Sequence, residues 1–268
     1  MLRISGTGES HVGLVRPNNQ DSAFVGPTCM LVADGVGGGA AGEVASATTA
    51  YAVAASALLH AGENPAAVLT EGVRVAQAQV RAGVLADESR TGMATTLTAV
   101  VTDGKEFALA HLGDSRGYVF RDGGLTRVTR DHTYVQELID EGRLDASAAA
   151  GHPWRNVVLR TVNGAEDGVP DISALFLRPG DRILLASDGL TDLVGEAEIA
   201  ELLTGRSDDD AVSDLVAAAL GRGGRDNITC VLATVVDGPA ISADGMLLGS
   251  VRDPANVIDI AAVRAATA

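Results

Sequence analysis

Apolar residues along this chain follow two patterns, one with helical spacing and one of short runs broken by turn residues. Residues 42–60 are rich in alanine and repeat their apolar positions at helical spacing, which predicts an α-helix. Asn64 and Pro65 then supply an N-cap and a first-turn proline, and the apolar face of a second helix continues to Val84. Because the two helices follow each other directly, we expect them to pair as an antiparallel hairpin.

The shorter apolar runs, many of them β-branched and bounded by Gly, Pro, Asn or Asp, predict β-strands joined by tight turns. These predicted strands cover 11–16, 22–25, 28–33, 94–101, 106–112, 118–121, 125–129, 157–162, 172–177, 182–187 and 228–236. Further helices are predicted over 133–141, 196–203 and 209–220. Hairpin-connected strands together with paired helices indicate an α+β fold that is built in layers.

Two segments have no clear periodicity. Residues 143–156 contain an alanine run and the only tryptophan, Trp154, and they predict a mobile surface segment. The tail beyond Asp237 is compatible with a hairpin and a short helix or with a loose extension. No linker precedes about residue 238, so we expect one domain over 1–237 and a C-terminal extension of uncertain structure over 238–268.

The composition narrows the classes of function. The 268 residues are 46% hydrophobic and 21% charged, as in globular proteins with a sizeable core. The net charge of −15 argues against nucleic-acid and anionic-membrane surfaces, and an anionic substrate would need metal cations beside it. No signal core or membrane-length apolar run is visible, so we expect a cytoplasmic protein. Cys29 and Cys230 predict buried free thiols, with one disulfide as the alternative.

Four carboxylates share one local pattern, because each lies at the end or the start of a predicted strand beside Gly or Asn. They are Asp34, Asp114, Asp188 and Asp226. If folding gathers them, their repulsion requires a cation, and an all-oxygen set suits Mg²⁺ or Mn²⁺. Four independent turns are the alternative, and the pattern alone leaves both open. Arg16 has the fork that fits a phosphate, although a lone arginine is more often a surface residue.

Six short motifs, taken in order, resemble those of the PP2C-type (PPM) metal-dependent serine/threonine protein phosphatases, in their short bacterial branch. The motifs are Arg16-x-x-Asn19-Gln20-Asp21, Val32-Ala33-Asp34-Gly35-Val36-Gly37-Gly38, Gly92-Met93-Ala94-Thr95-Thr96, His111-Leu112-Gly113-Asp114-Ser115-Arg116, Ser187-Asp188-Gly189-Leu190 and Arg225-Asp226-Asn227. The resemblance covers about residues 5–236. It implies a central β-sandwich of two antiparallel sheets flanked by helix pairs, with a metal cluster at one end.

The resemblance also implies roles for individual residues. Asp34 would bridge two Mn²⁺ or Mg²⁺ ions, helped by the carbonyl group of Gly35, and Asp21 would act through water. Asp188 and Asp226 would complete the site of the second ion. Asp114, together with Asp188, would hold a possible third ion. A hydroxide between two ions would attack phosphorus. Arg16 would grip the phosphate.

The chain departs from the family pattern at three positions. Val36 and Gly39 stand where relatives carry a histidine that is proposed to protonate the leaving group, and Gln20 replaces a frequent Glu. The general acid is therefore open. A metal-bound water is the first expectation, and His132 and His152 are alternatives that are more often structural.

The resemblance implies an enzyme that removes phosphate from phosphoserine and phosphothreonine in proteins and so reverses a Ser/Thr kinase. Its partners would be phosphoproteins and a kinase, and we expect a monomer. Two alternatives stay open. One is a partner-switch regulator that dephosphorylates an anti-sigma antagonist, and the other is a catalytically weak sensing module.

The aperiodic segment 143–156 matches the variable flap beside the active site in this family. We predict that the flap, with Trp154, influences which phosphoprotein is accepted. Exchange of 143–156 for the flap of a relative should reorder the kcat/KM values for a panel of phosphopeptides, with p-nitrophenyl phosphate as the peptide-free control. An unchanged order would show that the flap has no such role.

Overall fold

The computed structural model describes residues 1–36, 41–165, 168–238 and 245–259. Within these residues the strands form two antiparallel sheets that pack face to face, with helices on both outer surfaces. The predicted α+β sandwich flanked by helices is confirmed. Among the described helices, none is long and apolar enough to cross a membrane.

The bounds of the elements follow from the backbone hydrogen bonds. The strands are β1 (Leu2–His11), β2 (Asp21–Val25), β3 (Cys29–Val36), β4 (Ala94–Thr95), β5 (Leu97–Thr102), β6 (Phe107–Leu112), β7 (Arg116–Arg121), β8 (Gly124–Arg127), β9 (Asp171–Leu175), β10 (Arg182–Ala186), β11 (Ile228–Asp237) and β12 (Met246–Gly249). The helices are α1 (Gly42–Leu59), α2 (Pro65–Ala86), α3 (Tyr134–Asp140), α4 (Asp188–Thr191), α5 (Glu196–Leu203) and α6 (Asp208–Gly221).

The smaller sheet has the strand order β1-β11-β10-β7-β8, and the larger sheet has the order β12-β2-β3-β5-β6-β9 with β4 paired to β3. Buried side chains such as Val32, Leu185 and Val231 fill the space between the sheets. Helices α1 and α2 pair with each other, as predicted, and cover the larger sheet, while α5 and α6 cover the smaller one. The result is four layers with apolar contacts between each neighbouring pair.

The helix starts follow the predicted chemistry. The Asn64 side chain accepts a hydrogen bond from the amide of Ala67 at 3.0 Å and so caps α2, whose first residue is Pro65. Cys29 and Cys230 are both buried and free, and they belong to core clusters on opposite outer faces of the sandwich. The predicted free thiols are confirmed, and the alternative of a disulfide is wrong.

Two predicted strands are wrong. The strand predicted over 11–16 is not formed, because the chain turns after His11. The strand in this region is β1, which precedes the turn and pairs with β11 from Leu2 to His11. This strand was not predicted because it contains polar residues and the glycines at 6 and 8 instead of an apolar run. The packing requires glycine at 6, because a Cβ there would lie 2.4 Å from the carbonyl oxygen of Leu232. Residues 157–162 contribute only isolated bridges to the described structure.

The described part of the C-terminal extension lies on the domain. β12 pairs antiparallel with β2 and becomes the edge of the larger sheet, next to the strand that begins with Asp21. Two 3₁₀ turns follow, at Ser250–Arg252 and Pro254–Asn256. Residues 239–244 and 260–268 lie outside the described residues.

Candidate metal centre

The β2–β3 hairpin places two acidic residues opposite each other. In its register Asp21 pairs with Asp34 at the open end of the hairpin. Asp21 is fully buried; its Oδ2 accepts a hydrogen bond from Ser187 Oγ at 2.8 Å, whereas its Oδ1 is buried without a partner. A buried carboxylate oxygen without a donor is destabilising unless a cation meets it. This oxygen therefore fits a metal site.

The backbone of Asp34 is fixed by two threonines. Its amide donates to Thr96 Oγ1 at 2.9 Å, and its carbonyl oxygen accepts from Thr95 Oγ1 at 2.8 Å. The next residue must be glycine, because a Cβ at Gly35 would lie 2.6 Å from the carbonyl group of Gly42 at the start of α1. The main chain of Asp34 is thus held by its neighbours, and the residue lies at the open end of the β2–β3 hairpin.

Asp188 and Asp114 join this pair from other elements. Asp188 follows β10 and is the first residue of the short helix α4, and Asp114 lies in the turn between β6 and β7. The side chains of Asp34 and Asp188 lie close enough for each to affect the pKa of the other. Both residues and Asp114 are half-buried, so the acids are open to the surface on one side. That opening gives an ion or a substrate a way in.

The electrostatics show that the acids converge. Desolvation is the main cause that raises the pKa of Asp34 well above its usual range, and repulsion by Asp21, Asp188, Asp114 and Asp226 adds to it. Desolvation likewise raises the pKa of Asp21 to about 7, and it raises the pKa values of Asp114 and Asp188. Acids that repel one another across four elements need a positive charge to ionise together. The four acids therefore act on one another electrostatically in the folded chain, although the sequence places them far apart.

Among the described residues, no group of three or more His, Cys, Asp or Glu side chains is placed as a ready-made metal site. Hard ions such as Mg²⁺ keep several water ligands and take one or two carboxylates each. A shared, half-open set of acids is compatible with such ions, and the unpartnered oxygen of Asp21 supports the fit.

Arg16 lies beside the acids. Its guanidinium NH2 contacts Asp226 Oδ2 at 2.6 Å, and both side chains are partly exposed, at 47% and 37%. The hydrogen bond that Arg16 donates to Asp226 is the main cause that raises the pKa of Arg16, and Asp34 and Asp188 raise it further. Arg16 is thus a permanent positive charge at the rim of an acidic centre, with other N–H groups available to an anion.

Asn227 has a role that the sequence did not reveal. Its Nδ2 donates to the carbonyl oxygens of Val12 and Asn18, both at 2.9 Å, and its Oδ1 accepts from the amide of Gln20 at 2.8 Å. One side chain therefore fastens the loop that carries Arg16 to the start of β11. The signal was an amide side chain directly after a strand-end Asp, since an amide offers both donors and an acceptor.

The two candidate histidines lie in different surroundings. His132 Nδ1 accepts from the amide of Gly113 at 3.1 Å, and its Nε2 is 2.9 Å from Asp171, so the ring supports the turn that carries Asp114. His152 lies in the flap, with its ring 6.0 Å from that of Trp154.

The positions that depart from the family pattern are placed as follows. Gln20 Nε2 donates to Glu43 Oε2 at 2.9 Å. Val36 ends β3, and Gly37, Gly38 and Gly39 lie outside the described residues.

A cavity of about 380 Å³ connects the acids with the flap. Asp114 and Asp188 line one side, and the flap residues Ala149, Arg155 and Asn156 line the other. The segment 143–156 forms a 3₁₀ turn over Ala146–Gly151 and lies where the resemblance places a flap.

A family model described as protein phosphatase 2C matches residues 7–233. The chain belongs to the protein phosphatase 2C family. It is 42% identical over 239 residues to the serine/threonine protein phosphatase PstP of Mycobacterium tuberculosis, covering 89% of this chain and 46% of PstP. It is also 32% identical over 235 residues to a putative protein phosphatase 2C-type of Streptococcus pyogenes, with 84% and 94% covered. The chain spans about half the length of PstP.

Solved structures agree with this membership. The crystal structure of M. tuberculosis PstP/Ppp has a TM-score of 0.80 and 40% identity and covers 88% of this chain and 100% of that one. A structure of the PstP catalytic domain in complex with two manganese ions has a TM-score of 0.79 at 40% identity, with 88% and 100% covered. The PP2C resemblance is thus confirmed.

The raised pKa of Asp21 predicts that the stability of the metal-free protein falls as pH rises. A carboxyl group with its pKa raised from 3.8 to about 7 binds its proton more tightly in the folded than in the unfolded state, so it destabilises the fold increasingly as pH rises between those values. In the presence of a chelator, Asp21→Asn should gain on the wild type by up to about 10 °C in Tm as pH rises from 4 to 7, because a shift of that size corresponds to about 4 kcal/mol.

The control is Asp209→Asn, which changes an exposed acid in the first turn of α6. Its Tm difference from the wild type should stay flat over the same pH range. A flat difference for Asp21→Asn as well would contradict the raised pKa.

Proposed function

We propose that this protein hydrolyses phosphoserine and phosphothreonine monoesters in proteins. The observation that carries the proposal is the convergence of strand-end acids around Asp34, with Arg16 beside them. Membership of the protein phosphatase 2C family and relatives that are named serine/threonine phosphatases support it. Because the net charge is −15, the protein repels a phosphate group, and bound cations or Arg16 must supply positive charge at this centre.

The proposed ligands follow the family pattern and suit Mn²⁺ or Mg²⁺. Asp34 would be shared by two ions, with the Gly35 carbonyl on one of them and Asp21 near it through water. Asp188 and Asp226 would hold the other ion, and Asp114 with Asp188 would hold a possible third. When bound, two ions lower the pKa of water between them to give the attacking hydroxide, and they stabilise charge on the phosphoryl oxygens.

The protein's own groups have separate tasks. Ser187 and the threonines at 95 and 96 hold Asp21 and Asp34 in place, so little reorganisation is needed when an ion binds. Arg16 keeps one N–H on Asp226 and directs the remaining donors toward a phosphoryl oxygen. Asn227 sets the distance between this arginine and the acids by fixing its loop.

In the cell, we propose that the enzyme reverses a Ser/Thr kinase and acts as a monomer on phosphoproteins. The cavity between the acids and the flap is large enough to admit a side chain next to the phosphorylated residue. The flap would then contribute to the choice of phosphoprotein.

The activity is tested with p-nitrophenyl phosphate and a phosphothreonine peptide in the presence of Mn²⁺, with and without a chelator. We expect turnover that the chelator abolishes and that Asp34→Asn reduces about 100-fold, because a shared ligand is lost. Arg16→Ala should lower kcat/KM about 100-fold through lost charge stabilisation. Asp209→Asn is the matched control and should keep wild-type turnover.

Two outcomes would contradict the proposal. Turnover that withstands both the chelator and Asp34→Asn would remove the metal mechanism. No turnover in a protein that binds Mn²⁺ would favour the sensing module instead.

A further inference from the structure

Residues 246–258 form a strap that crosses the edge of the larger sheet and ends on the helix pair. At its start, β12 pairs with β2 so that Met246 lies opposite Val25 and Gly249 opposite Ser22. At its end, Ile258 packs so tightly against α2 that a Cβ at Gly83 would lie 2.1 Å from its Cδ1. The strap is therefore held at both ends, and the two 3₁₀ turns at Ser250–Arg252 and Pro254–Asn256 lie between them.

The middle of the strap contacts the segment that leads to Asp21. Ser250 Oγ donates a hydrogen bond to the carbonyl oxygen of Asn19. Gly249 has φ +73°, and a Cβ there would lie 2.2 Å from the carbonyl oxygen of Asp21. Only glycine permits this approach, because both the backbone conformation and the space exclude a side chain. The backbone on both sides of the metal-site acid is thus in contact with the strap.

A chain of buried hydrogen bonds continues this contact. The amide of Val251 donates to Ser22 Oγ at 3.1 Å, and Ser22 Oγ lies 3.0 Å from Ser46 Oγ. Ser46 Oγ in turn donates to the carbonyl oxygen of Gln20 at 2.5 Å. Since the Ser46 proton is used there, Ser22 donates to Ser46 and accepts from the strap. Removal of the strap would leave a buried hydroxyl oxygen without its donor.

The position of the Asp21 carboxylate depends on this backbone. Asp21 is fully buried. Among the described residues, its carboxylate has a hydrogen-bond donor on Oδ2 but none on Oδ1. A short side chain follows its main chain, so a shift of the Asp21 Cα moves the unpartnered oxygen as well. The match to the family model ends at residue 233, so the strap lies beyond the region that this model matches.

We propose that the strap positions Asp21 for metal binding, with Gly249 and Ser250 as its positioning residues. This role rests on the metal site of the proposed function. It makes residues 246–258 part of the catalytic unit instead of an appendage to it. Neither positioning residue is proposed to touch an ion or a substrate.

The test measures Mn²⁺ binding to the full chain by isothermal titration calorimetry, with Tm in chelator as a separate measure of folding. Gly249→Ala should raise the apparent Kd for Mn²⁺ about tenfold, as expected when the support of a ligand is displaced. Ser250→Ala should raise it about fivefold, through one lost hydrogen bond.

The control is Gly104→Ala. Gly104 also has a positive φ, of +93°, and a Cβ there would lie 2.3 Å from Cγ of Met1, in the β5–β6 turn. This variant shares the positive φ but clashes with a side chain instead of a carbonyl group, and it lies at the opposite end of β5 from the candidate metal centre. It should therefore lower Tm while it keeps the wild-type Kd.

Wild-type Mn²⁺ affinity in both strap variants would overturn the positioning role while the metal site itself stands. A wild-type protein that takes up no Mn²⁺ would contradict both the proposed function and this role. If Gly249→Ala does not fold, Ser250→Ala decides alone.

Discussion

Mutual repulsion among desolvated carboxylates is the constraint on which the rest of the structure depends. Desolvation raises the pKa of Asp34, and electrostatic repulsion by four other acids raises it further. Such a group is stable at neutral pH only as a protonated acid or beside a cation. The surrounding structure must therefore hold the acids together against their charge, and the hydrogen bonds of Thr96 and Ser187 are part of that restraint.

The sandwich supplies the restraint because it brings distant parts of the chain to one end. Asp21 and Asp34 come from neighbouring strands of the larger sheet, whereas Asp188 and Asp226 flank neighbouring strands of the smaller one. Packing of the two sheets sets the distance between these pairs. The glycine at 35 then lets α1 approach, and Asn227 closes the site from the side of Arg16.

The sequence predicted much of this and missed some of it for physical reasons. The helix that Asn64 caps and the strands near Asp34 were visible, because capping and apolar runs are local signals. β1 was missed because its glycines and polar residues are set by contact with β11, two hundred residues away. The role of Asn227 and the docking of β12 depend on the same kind of distant contact. Convergence of the acids could be proposed from their pattern, but only the fold brings them together.

Anomalous diffraction from crystals soaked in Mn²⁺ tests the central claim most directly. The account predicts two strong anomalous peaks at the end of the sandwich, with carboxylate oxygens of Asp34 and Asp188 at about 2.0–2.6 Å from an ion, the range for hard cations and oxygen ligands. No peak among these acids, in crystals where Mn²⁺ is bound elsewhere or not at all, would contradict it.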